Sequence, residues 1–354
     1  MKISRDRLCR RARAGSAALA ALFTLLLAGV VAAALAEGGR LALVRARIDR
    51  DGLRAWFLAE AGLADTVAAL APGSDFTEAL AASSAPPAEE GAPWTYAAGF
   101  LDDGDESPDD PERDANGMVW LRISAFGPPP VRRRLEALVA RDLDGLFPGA
   151  ATLAGGVTEL TEGFALDGRD FLAESACTMG ADGQIRAGLA LPEGSALPAI
   201  GRPEQIAGRG DLPSIAAVTP PDLTPLGARP EATRRPAGGL PPVLGGPATP
   251  AFTVVDGNAI ADGTTTGEGV LYVSGRLEVA GTLAFTGVLA AAGGVLVTST
   301  GNLLVCGALW AAGDPALEAH GAGYVRASAG ALRAAARVAP LPARARVIAT
   351  AEIS

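Results

Sequence analysis

Few residues in this sequence have the types and spacing that support catalysis. The single histidine, His320, lies in a glycine-rich stretch with no nucleophile motif beside it. There is no G-x-S-x-G, H-E-x-x-H or G-x-x-x-x-G-K-[ST] pattern, and the single lysine is Lys2. We therefore predict no catalytic residue and no cofactor, although carboxylates brought together only by the fold would escape this test.

An acidic run at residues 102–117 is the one candidate for a metal site. Eight of residues 102–116 are acidic, and Ca²⁺ prefers several carboxylates within a short span. The run has no D-x-D-x-D-G frame, and Leu121 stands where the distal glutamate of an EF-hand would fall. Dense acidic runs are usually solvated loops, so we predict a solvated loop and no metal here.

The charge distribution argues against a nucleic-acid partner. Six cations and one aspartate give the first 15 residues a net charge of +5, whereas the whole chain has −9. The remainder is therefore at −14, and phosphate binding needs clustered cations.

An apolar N-terminal helix is the first element of the fold. From Ala17 to Ala36 the sequence reads AALAALFTLLLAGVVAAALA, with Leu25 and Leu26 near its centre. Twenty helical residues span about 30 Å, enough to cross a bilayer core. The preceding cations predict a cytoplasmic N-terminus and an exported body. A cleaved signal peptide ending at Ala34-Leu35-Ala36 is the alternative, but its apolar core would usually be only about 7–15 residues long.

Helical periodicity resumes after this span. An apolar stripe continues at helical spacing as far as the helix-breaking Pro72-Gly73. Its members are Leu41, Val44, Ile48, Ala55, Ala59, Leu63, Val67 and Leu70. This pattern predicts one continuous stem, residues 16–72, whose lower half packs on a globular head.

The stem resembles a known family. RARAGSAALAALFTLLLAG followed by LRAWFLAEAGLADTVAAL is similar to the start of PilX-type minor pilins and pseudopilins of type IV pilus and type II secretion systems. Members have a basic leader, here residues 1–15, then a Gly-Ser or Gly-Met junction and an AEAGL-like stretch. The matching residues are Gly15 and Ser16 at the junction, and Ala59, Glu60, Ala61, Gly62 and Leu63 in the stretch.

This resemblance covers residues 10–70 and implies cleavage by prepilin peptidase after Gly15. Most members carry glutamate at the fifth mature position, where it pairs with a neighbouring subunit's terminal amine. Here that position is Ala20. The glutamate is also missing in tip-type pseudopilins, so the resemblance implies a place at the tip or in the initiation complex. Implied partners are other pilin-like subunits, the inner-membrane assembly platform and membrane lipid.

Two regions of different composition follow the stem. Strand-like runs at 94–101, 118–126 and 131–143 predict a small antiparallel head over residues 73–147, with a helix as the alternative for the third run. Residues 172–251 contain no aromatic residue, and 13 of the 26 prolines lie between Pro192 and Pro250. Such a composition predicts an extended linker over residues 148–252.

Residues 253–354 contain a six-residue repeat. Glycine recurs at this spacing from Gly269, with leucine two residues later. Residues two apart share a strand face, so the leucines should point inward: Leu271, Leu277, Leu283, Leu289, Leu303 and Leu309. The period indicates a parallel β-helix, with a meander of hairpins as the alternative. Residues 324–327, a helix at 329–338 and a strand at 347–351 are expected to cap its edge.

The cysteines offer one pair. Cys9 precedes the stem and should be cytoplasmic, which leaves Cys177 and Cys306 in an oxidising compartment. Cys306 follows an inward-facing residue and therefore points outward, so we expect no bridge between them.

These elements predict an α+β protein with a long membrane-spanning helix, a small antiparallel β head, a Pro/Gly-rich linker and a C-terminal β-solenoid. The predicted function is that of a minor pilin or pseudopilin, a structural component of a type IV pilus or type II secretion system. Its predicted place is the bacterial inner membrane, single-pass, with the bulk of the chain periplasmic or incorporated into a surface pilus. The alternative is an exported, membrane-anchored β-solenoid that binds a cell-surface polymer.

Overall fold

The computed structural model of this chain describes residues 5–70, 76–82, 92–104, 111–112, 114, 117–173, 177–180, 185–196 and 199–353, with side chains from Ala17 onward. The described residues form a long N-terminal helix, a four-stranded antiparallel head sheet and a large parallel β-solenoid. The α+β character, the long apolar helix and the solenoid are as predicted.

The described part of the chain contains four α-helices: α1 (Arg5–Ala69), α2 (Phe76–Ala82), α3 (Leu143–Leu146) and α4 (Ala329–Val338). It also has two short 3₁₀ helices, Pro203–Gln205 and Thr224–Ala228. Helix α1 runs without a break through Gly38 and Gly39. It ends at Ala69, while the predicted stop at Pro72-Gly73 lies outside the described residues.

The head sheet packs on the lower part of α1. Its strands lie in the order β1 (Thr95–Leu101), β2 (Met118–Phe126), β3 (Arg132–Arg141) and β23 (Ala345–Ile353), and all neighbours are antiparallel. Alternate β2 residues, including Val119 and Leu121, are fully buried in the core shared with α1. The third run is therefore a strand, and the helical alternative for it is wrong. Most of the acidic run 102–117 lies outside the described residues.

Strand β23 corrects one prediction. The C-terminal strand was expected to cap the solenoid, but it pairs with β3, with Ala345 opposite Arg141. The far edge of β3 otherwise has unpaired backbone groups, which β23 satisfies. Ala345 and Val347 also pack against the head core, so apolar burial supports the same pairing.

The solenoid has three faces. The first face contains β4 (Gly149–Leu153), β9 (Ala187–Leu191), β12 (Ile215–Ala217), most of β13 (Thr233–Gly239), the start of β15 (Ala251–Ala261), and the ends of β16 (Thr264–Val273), β18 (Thr282–Ala291) and β20 (Asn302–Ala311). The second contains β5 (Val157–Leu160), β10 (Ala199–Ile200), β17 (Leu277–Val279), β19 (Val295–Val297), β21 (Leu317–Ala319) and the ends of β13 and β15. The third contains β6 (Phe164–Asp167), β11 (Ile206–Ala207), β14 (Val243–Leu244), β22 (Ala322–Ala327) and the starts of β16, β18 and β20. A separate hairpin joins β7 (Phe171–Leu172) to β8 (Thr178–Met179).

Three hexads make one coil of the solenoid. Gly269 pairs in register with Gly287, and Gly287 with Gly307, always in parallel strands. Gly287 has φ +125°, and a Cβ there would collide with the carbonyl oxygen of Gly269. Glycine is needed at this corner because the coils approach closely in a backbone conformation that side chains rarely adopt. The solenoid prediction is confirmed and the hairpin meander is wrong.

The predicted linker is wrong, because the described residues within 148–252 build further coils. Strand β4 pairs with β20, β5 with β21 and β6 with β22, all in parallel. Strands β9, β10 and β11 add another coil. Aromatic residues are not required to fill the core of these coils, because each face of a coil needs only one or two inward aliphatic side chains. Leu153, Leu166 and Leu189 fill these positions and are fully buried.

The outer side of the first face is also covered. From β4 the chain builds coils toward one end of the solenoid, and the last strand at that end is β12. The next strand, β13, lies at the opposite end, so residues 218–232 must run back along the length of the solenoid. This return segment packs on the face through Leu223 and Leu226, and Trp310 Nε1 donates to the Pro221 carbonyl at 2.9 Å. Helix α4 lies on the same face.

The predicted cap therefore does not exist in the form expected. Helix α4 was predicted with correct bounds, but it covers a side of the solenoid through Leu332 and Ala335 rather than an end. Strand β22 is an ordinary solenoid strand between β20 and β6. The apolar face of α4 packs on this side because the outward residues Val270, Val288 and Ala308 are apolar there.

Candidate functional site

The upper stem, residues 17–50, is exposed throughout its length. It belongs to the one helix in the described part of the chain that is long and apolar enough to cross a membrane, with a mean hydropathy of 2.5 and no burial in its most apolar window. Ala17, Leu25, Leu26 and Ala36 all lie on this surface, with Leu25 72% and Leu26 60% exposed. No other described part of the chain covers them.

The upper stem is longer than a bilayer requires. Residues 17–36 account for about 30 Å, and residues 37–50 extend about 20 Å further at 1.5 Å per residue. In this extension Leu41, Val44 and Ile48 remain 57%, 48% and 44% exposed. The apolar stripe predicted from the sequence is therefore continuous, but only its lower half meets the head.

The predicted processing junction lies inside α1. Gly15 and Ser16 are both helical residues between Arg5 and Ala69. The backbone therefore does not separate a leader from the stem.

The AEAGL stretch is split between two faces of the lower stem, residues 51–69. Ala59, Gly62 and Leu63 are buried toward the head sheet, whereas Glu60 and Ala61 are exposed. This division follows the i, i+3, i+4 spacing of one helical face. The stretch therefore joins the stem to the head, and its small residues allow a close approach.

Gly62 has a specific packing partner that the sequence did not reveal. A Cβ at position 62 would lie 2.7 Å from the ring of Tyr96 on β1. The Tyr96 hydroxyl donates to Asp65 Oδ2 at 3.4 Å. Partial desolvation, together with the nearby Asp65 charge, raises the pKa of the Tyr96 phenol above its ordinary value. A glycine within an otherwise helical pattern was the only sequence signal of this contact.

A basic cleft lies where the stem leaves the head. It has a volume of about 500 Å³ and is lined by Arg47, Arg50 and Arg54, by Trp94, and by the prolines of the β2–β3 turn. The Arg54 guanidinium lies 4.1 Å from the Trp94 ring centroid, a cation–π distance. Trp94 has φ +64°, a costly conformation for a bulky residue.

The predicted inward leucines of the solenoid form part of one core. Each of the six has 0% exposure, and all belong to a single apolar cluster: Leu271, Leu277, Leu283, Leu289, Leu303 and Leu309. The cluster also includes residues from the region predicted to be a linker, such as Leu160 and Ile206. The repeat therefore serves as scaffold and presents its outward residues on a rigid surface.

Cys177 and Cys306 are joined by a disulfide, with their Cα atoms 5.8 Å apart. The expectation of no bridge was wrong. Cys306 does point outward from β20, but Phe171, Ala173 and Cys177 pack on the outside of that strand. The two residues are 129 positions apart, so local pattern gives no indication of their proximity.

A shallow groove runs along the outside of the third face. This third-face groove has a volume of about 480 Å³, and its lining includes Thr266, Thr286, Leu304 and Tyr324. Glu268 lies at its side, and burial raises the pKa of its carboxyl above the ordinary value.

His320 is partly exposed, with Nδ1 3.5 Å from Glu159 Oε2. Within the described ranges no group of three metal-ligating side chains comes together. Neither residue forms part of a larger constellation, so the geometry gives no reaction to assign to this pair.

Comparison of the chain with protein-family models, with curated proteins and with solved structures finds no match.

Proposed function

We propose that this protein is a minor pilin or pseudopilin, a structural subunit of a type IV pilus or type II secretion system. The observation that carries the proposal is the exposed apolar stripe of residues 37–50, beyond the length that a bilayer core covers. Leu41, Val44 and Ile48 belong to this stripe. A simple anchor needs only about 20 apolar residues, so the extension calls for a protein partner.

A bundle of neighbouring helices is the partner that fits. Burying a large aliphatic side chain contributes roughly 1.5–3 kcal/mol, and the stripe continues in line with the membrane span. Adjacent pilin-like helices would cover the stripe and the membrane span as one continuous surface. The same bundle would receive the span when the subunit leaves the membrane.

The charges of the extension define the partner further. Arg45 and Arg47 have no ion-pair partner among the described residues, and Arg50 pairs only with the adjacent Asp51 at 3.1 Å. A neighbouring subunit would therefore present carboxylates at this level. Ala20 offers no carboxylate to a second subunit's terminal amine, which favours a place at the tip or in the initiation complex.

The proposal includes a topology. The basic residues before the span keep the N-terminus cytoplasmic, and prepilin peptidase cuts between Gly15 and Ser16. Head and solenoid then lie in the periplasm or at the end of a pilus, and the inner-membrane assembly platform handles the stem.

The second candidate is a membrane-anchored solenoid that binds a cell-surface polymer. The third-face groove favours it, because an elongated surface with hydroxyls and an aromatic ring suits an extended ligand. Here the stem would serve only as an anchor or signal.

Complementation of a deletion strain separates the two functions. The deletion should lose piliation or secretion, and wild-type protein should restore it. We expect the Leu26→Asp variant not to restore piliation or secretion, because a charge at the helix centre costs about 2.5–3.5 kcal/mol on insertion scales. The variant Tyr324→Ala, in the third-face groove, should restore piliation or secretion as the wild-type protein does. N-terminal sequencing of the membrane fraction should give Ser16. Normal piliation and secretion in the deletion strain would overturn the pilin proposal.

A further inference from the structure

The basic cleft between stem and head has more positive charge than its own carboxylate neutralises. Three arginines of α1 line it at spacings of three and four residues, which places Arg47, Arg50 and Arg54 on one side of the helix. Asp51 is the one carboxylate among the described lining residues, and its Oδ1 accepts from Arg50 Nη2 at 3.1 Å. Arg47 and Arg54 have no ion-pair partner among the described residues. The cleft therefore retains two positive charges, although the net charge of the chain is −9.

Arg54 is positioned in a way that leaves its hydrogen-bond donors free. Its guanidinium carbon lies over the Trp94 ring, 4.1 Å from the ring centroid. Such a contact uses the face of the guanidinium plane, whereas the N–H bonds point outward along its edges. The Arg54 side chain is exposed, so a ligand in the cleft can reach it. A guanidinium presented in this way can form a bidentate pair with a carboxylate.

Trp94 is held in a strained conformation beside Arg54. Its φ is +64°, which is rare for a bulky residue. Its N–H donates to the Phe126 carbonyl at 2.6 Å, next to the first residue pair of β1 and β2, so the head sheet holds this backbone in place. Strain of this kind is concentrated at ligand clamps and other functional sites. Tryptophan and arginine are also enriched at the hot spots of protein interfaces, and these features together indicate a docking site.

Distance argues against a lipid headgroup as the ligand. If residues 17–36 fill the bilayer core, Arg47 lies about 16 Å and Arg54 about 27 Å beyond its edge along the helix. The polar region of a bilayer extends only about 5–8 Å from the core on each side. Both arginines therefore lie beyond the headgroups, at a level where a helix bundle would bring neighbouring subunits together.

We propose that the basic cleft binds an acidic segment of a neighbouring pilin-like subunit, with two carboxylates that pair with Arg47 and Arg54. This inference rests on the proposed function and specifies the chemistry of the partner at this level of the stem. Charge complementarity selects the segment, because a basic segment at the same place would be repelled. The prolines of the β2–β3 turn, residues 128–130, form a rigid wall of the cleft that limits how the segment can lie.

Fluorescence anisotropy with the full chain in nanodiscs tests the cleft. The probe is a labelled peptide with three aspartates separated by glycines, and a matched peptide carries asparagine in their place. The wild-type protein should bind the acidic peptide with one-site saturation. It should bind the asparagine peptide at least about tenfold more weakly, because the charge-assisted hydrogen bonds are lost.

Arg54→Gln removes one charge and its planar set of donors, so it should weaken binding of the acidic peptide by about tenfold. Arg54→Lys should give an intermediate affinity, because it retains the charge but not the bidentate geometry. Arg337→Gln is the matched control, since Arg337 is an exposed helical arginine outside the cleft; it should bind like wild type. Circular dichroism should be the same for all four proteins, because both arginines are exposed.

Nanodiscs of neutral and of anionic lipid distinguish a protein segment from a headgroup as the occupant. Equal peptide affinity in the two lipids supports the proposal, because the cleft lies beyond the screening length of about 8 Å at physiological salt. Loss of peptide binding in anionic lipid alone would assign the cleft to lipid and overturn the proposal. Absence of saturable binding, or equal losses in Arg54→Gln and Arg337→Gln, would also overturn it. Because the peptide assay does not depend on piliation, such a failure would leave the deletion-strain test of the proposed function unaffected.

Discussion

Leu277 of the solenoid and Leu26 of the stem are identical residues in opposite surroundings. Leu277 is fully buried, whereas Leu26 is 60% exposed. The solenoid covers its own leucines by stacking coil on coil, and no part of the described chain covers the upper stem. Apolar composition therefore has two meanings here: a core that the chain completes alone, and a surface that needs a membrane or another subunit.

The same contrast occurs within α1. Ala55 and Ala59 in the lower stem have 0% exposure against the head sheet, while Leu41 and Leu43 in the upper stem are 57% and 74% exposed. Because helix and stripe are continuous, the difference lies in the neighbours and not in the helix. Substitutions in the lower stem should therefore affect packing on the head, whereas substitutions in the upper stem should affect membrane insertion or contact with another subunit.

The largest expected effect separates folding from insertion. Leu277→Asp should unfold the solenoid, because it loses the roughly 2–5 kcal/mol of a large-to-small core change and also buries a charge. Leu26→Asp should leave the thermal melt of head and solenoid unchanged but reduce the membrane-inserted fraction. Circular dichroism of detergent-solubilised protein and membrane fractionation measure the two effects. Equal loss of thermal stability in both variants would break the contrast.

The second-largest effect is expected from removal of the disulfide, which should destabilise the solenoid but not the stem. Cys177→Ser should lower the free energy of unfolding by about 2–5 kcal/mol, as removal of native disulfides typically does. Insertion of the stem should not change. Reduced wild type is the control and should match the variant. Thiol labelling of unfolded, unreduced protein should detect Cys9 at most; two further reactive thiols would contradict the bridge.

Gly62 tests the boundary between the two regions. Gly62→Val should clash with the Tyr96 ring and destabilise the docking of head on stem by about 1–3 kcal/mol, the usual cost of overpacking. Ala61→Val is the matched control, since Ala61 is the exposed neighbour on the same helix. Hydrogen exchange of β1 reports the docking. Similar exchange in the two variants would show that the contact is unimportant.

The smallest effect concerns Glu268 and pH. Burial raises the pKa of its carboxyl, so the neutral acid is favoured in the folded state. The contribution of Glu268 to folding stability is complete below the pKa of this carboxyl in the unfolded chain. It is lost as the pH rises through the pKa of the carboxyl in the folded protein. Glu268→Gln should therefore slightly raise the melting temperature at pH 7 and have no effect near pH 3. A larger benefit at pH 3 than at pH 7 would contradict the assigned cause.

Local periodicity made much of this molecule predictable. The apolar span, the continuous stem, the head strands, the hexad leucines and the bounds of α4 all follow from spacings of a few residues. The same local patterns identified the apolar helix of the candidate site, because its composition is extreme over 20 consecutive residues.

Pairing between distant residues could not be predicted in this way. Strand β4 pairs with β20 and β23 with β3, and each pairing closes a very long loop. Weakly apolar segments, such as the described residues within 148–252, become ordered only when such partners exist. The Tyr96–Gly62 contact also joins residues from separate parts of the chain, so no single window of sequence contains it.

Site-specific photo-crosslinking from α1 in native membranes tests the central claim most directly. A crosslinker at Leu41 samples the exposed extension, and one at Leu63 samples the face buried on the head. We predict that Leu41 captures other pilin-like subunits, whereas Leu63 reacts only within its own chain. Capture of lipid alone from Leu41, with no protein adduct beyond the Leu63 background, would contradict the assignment of the stem to a helix bundle.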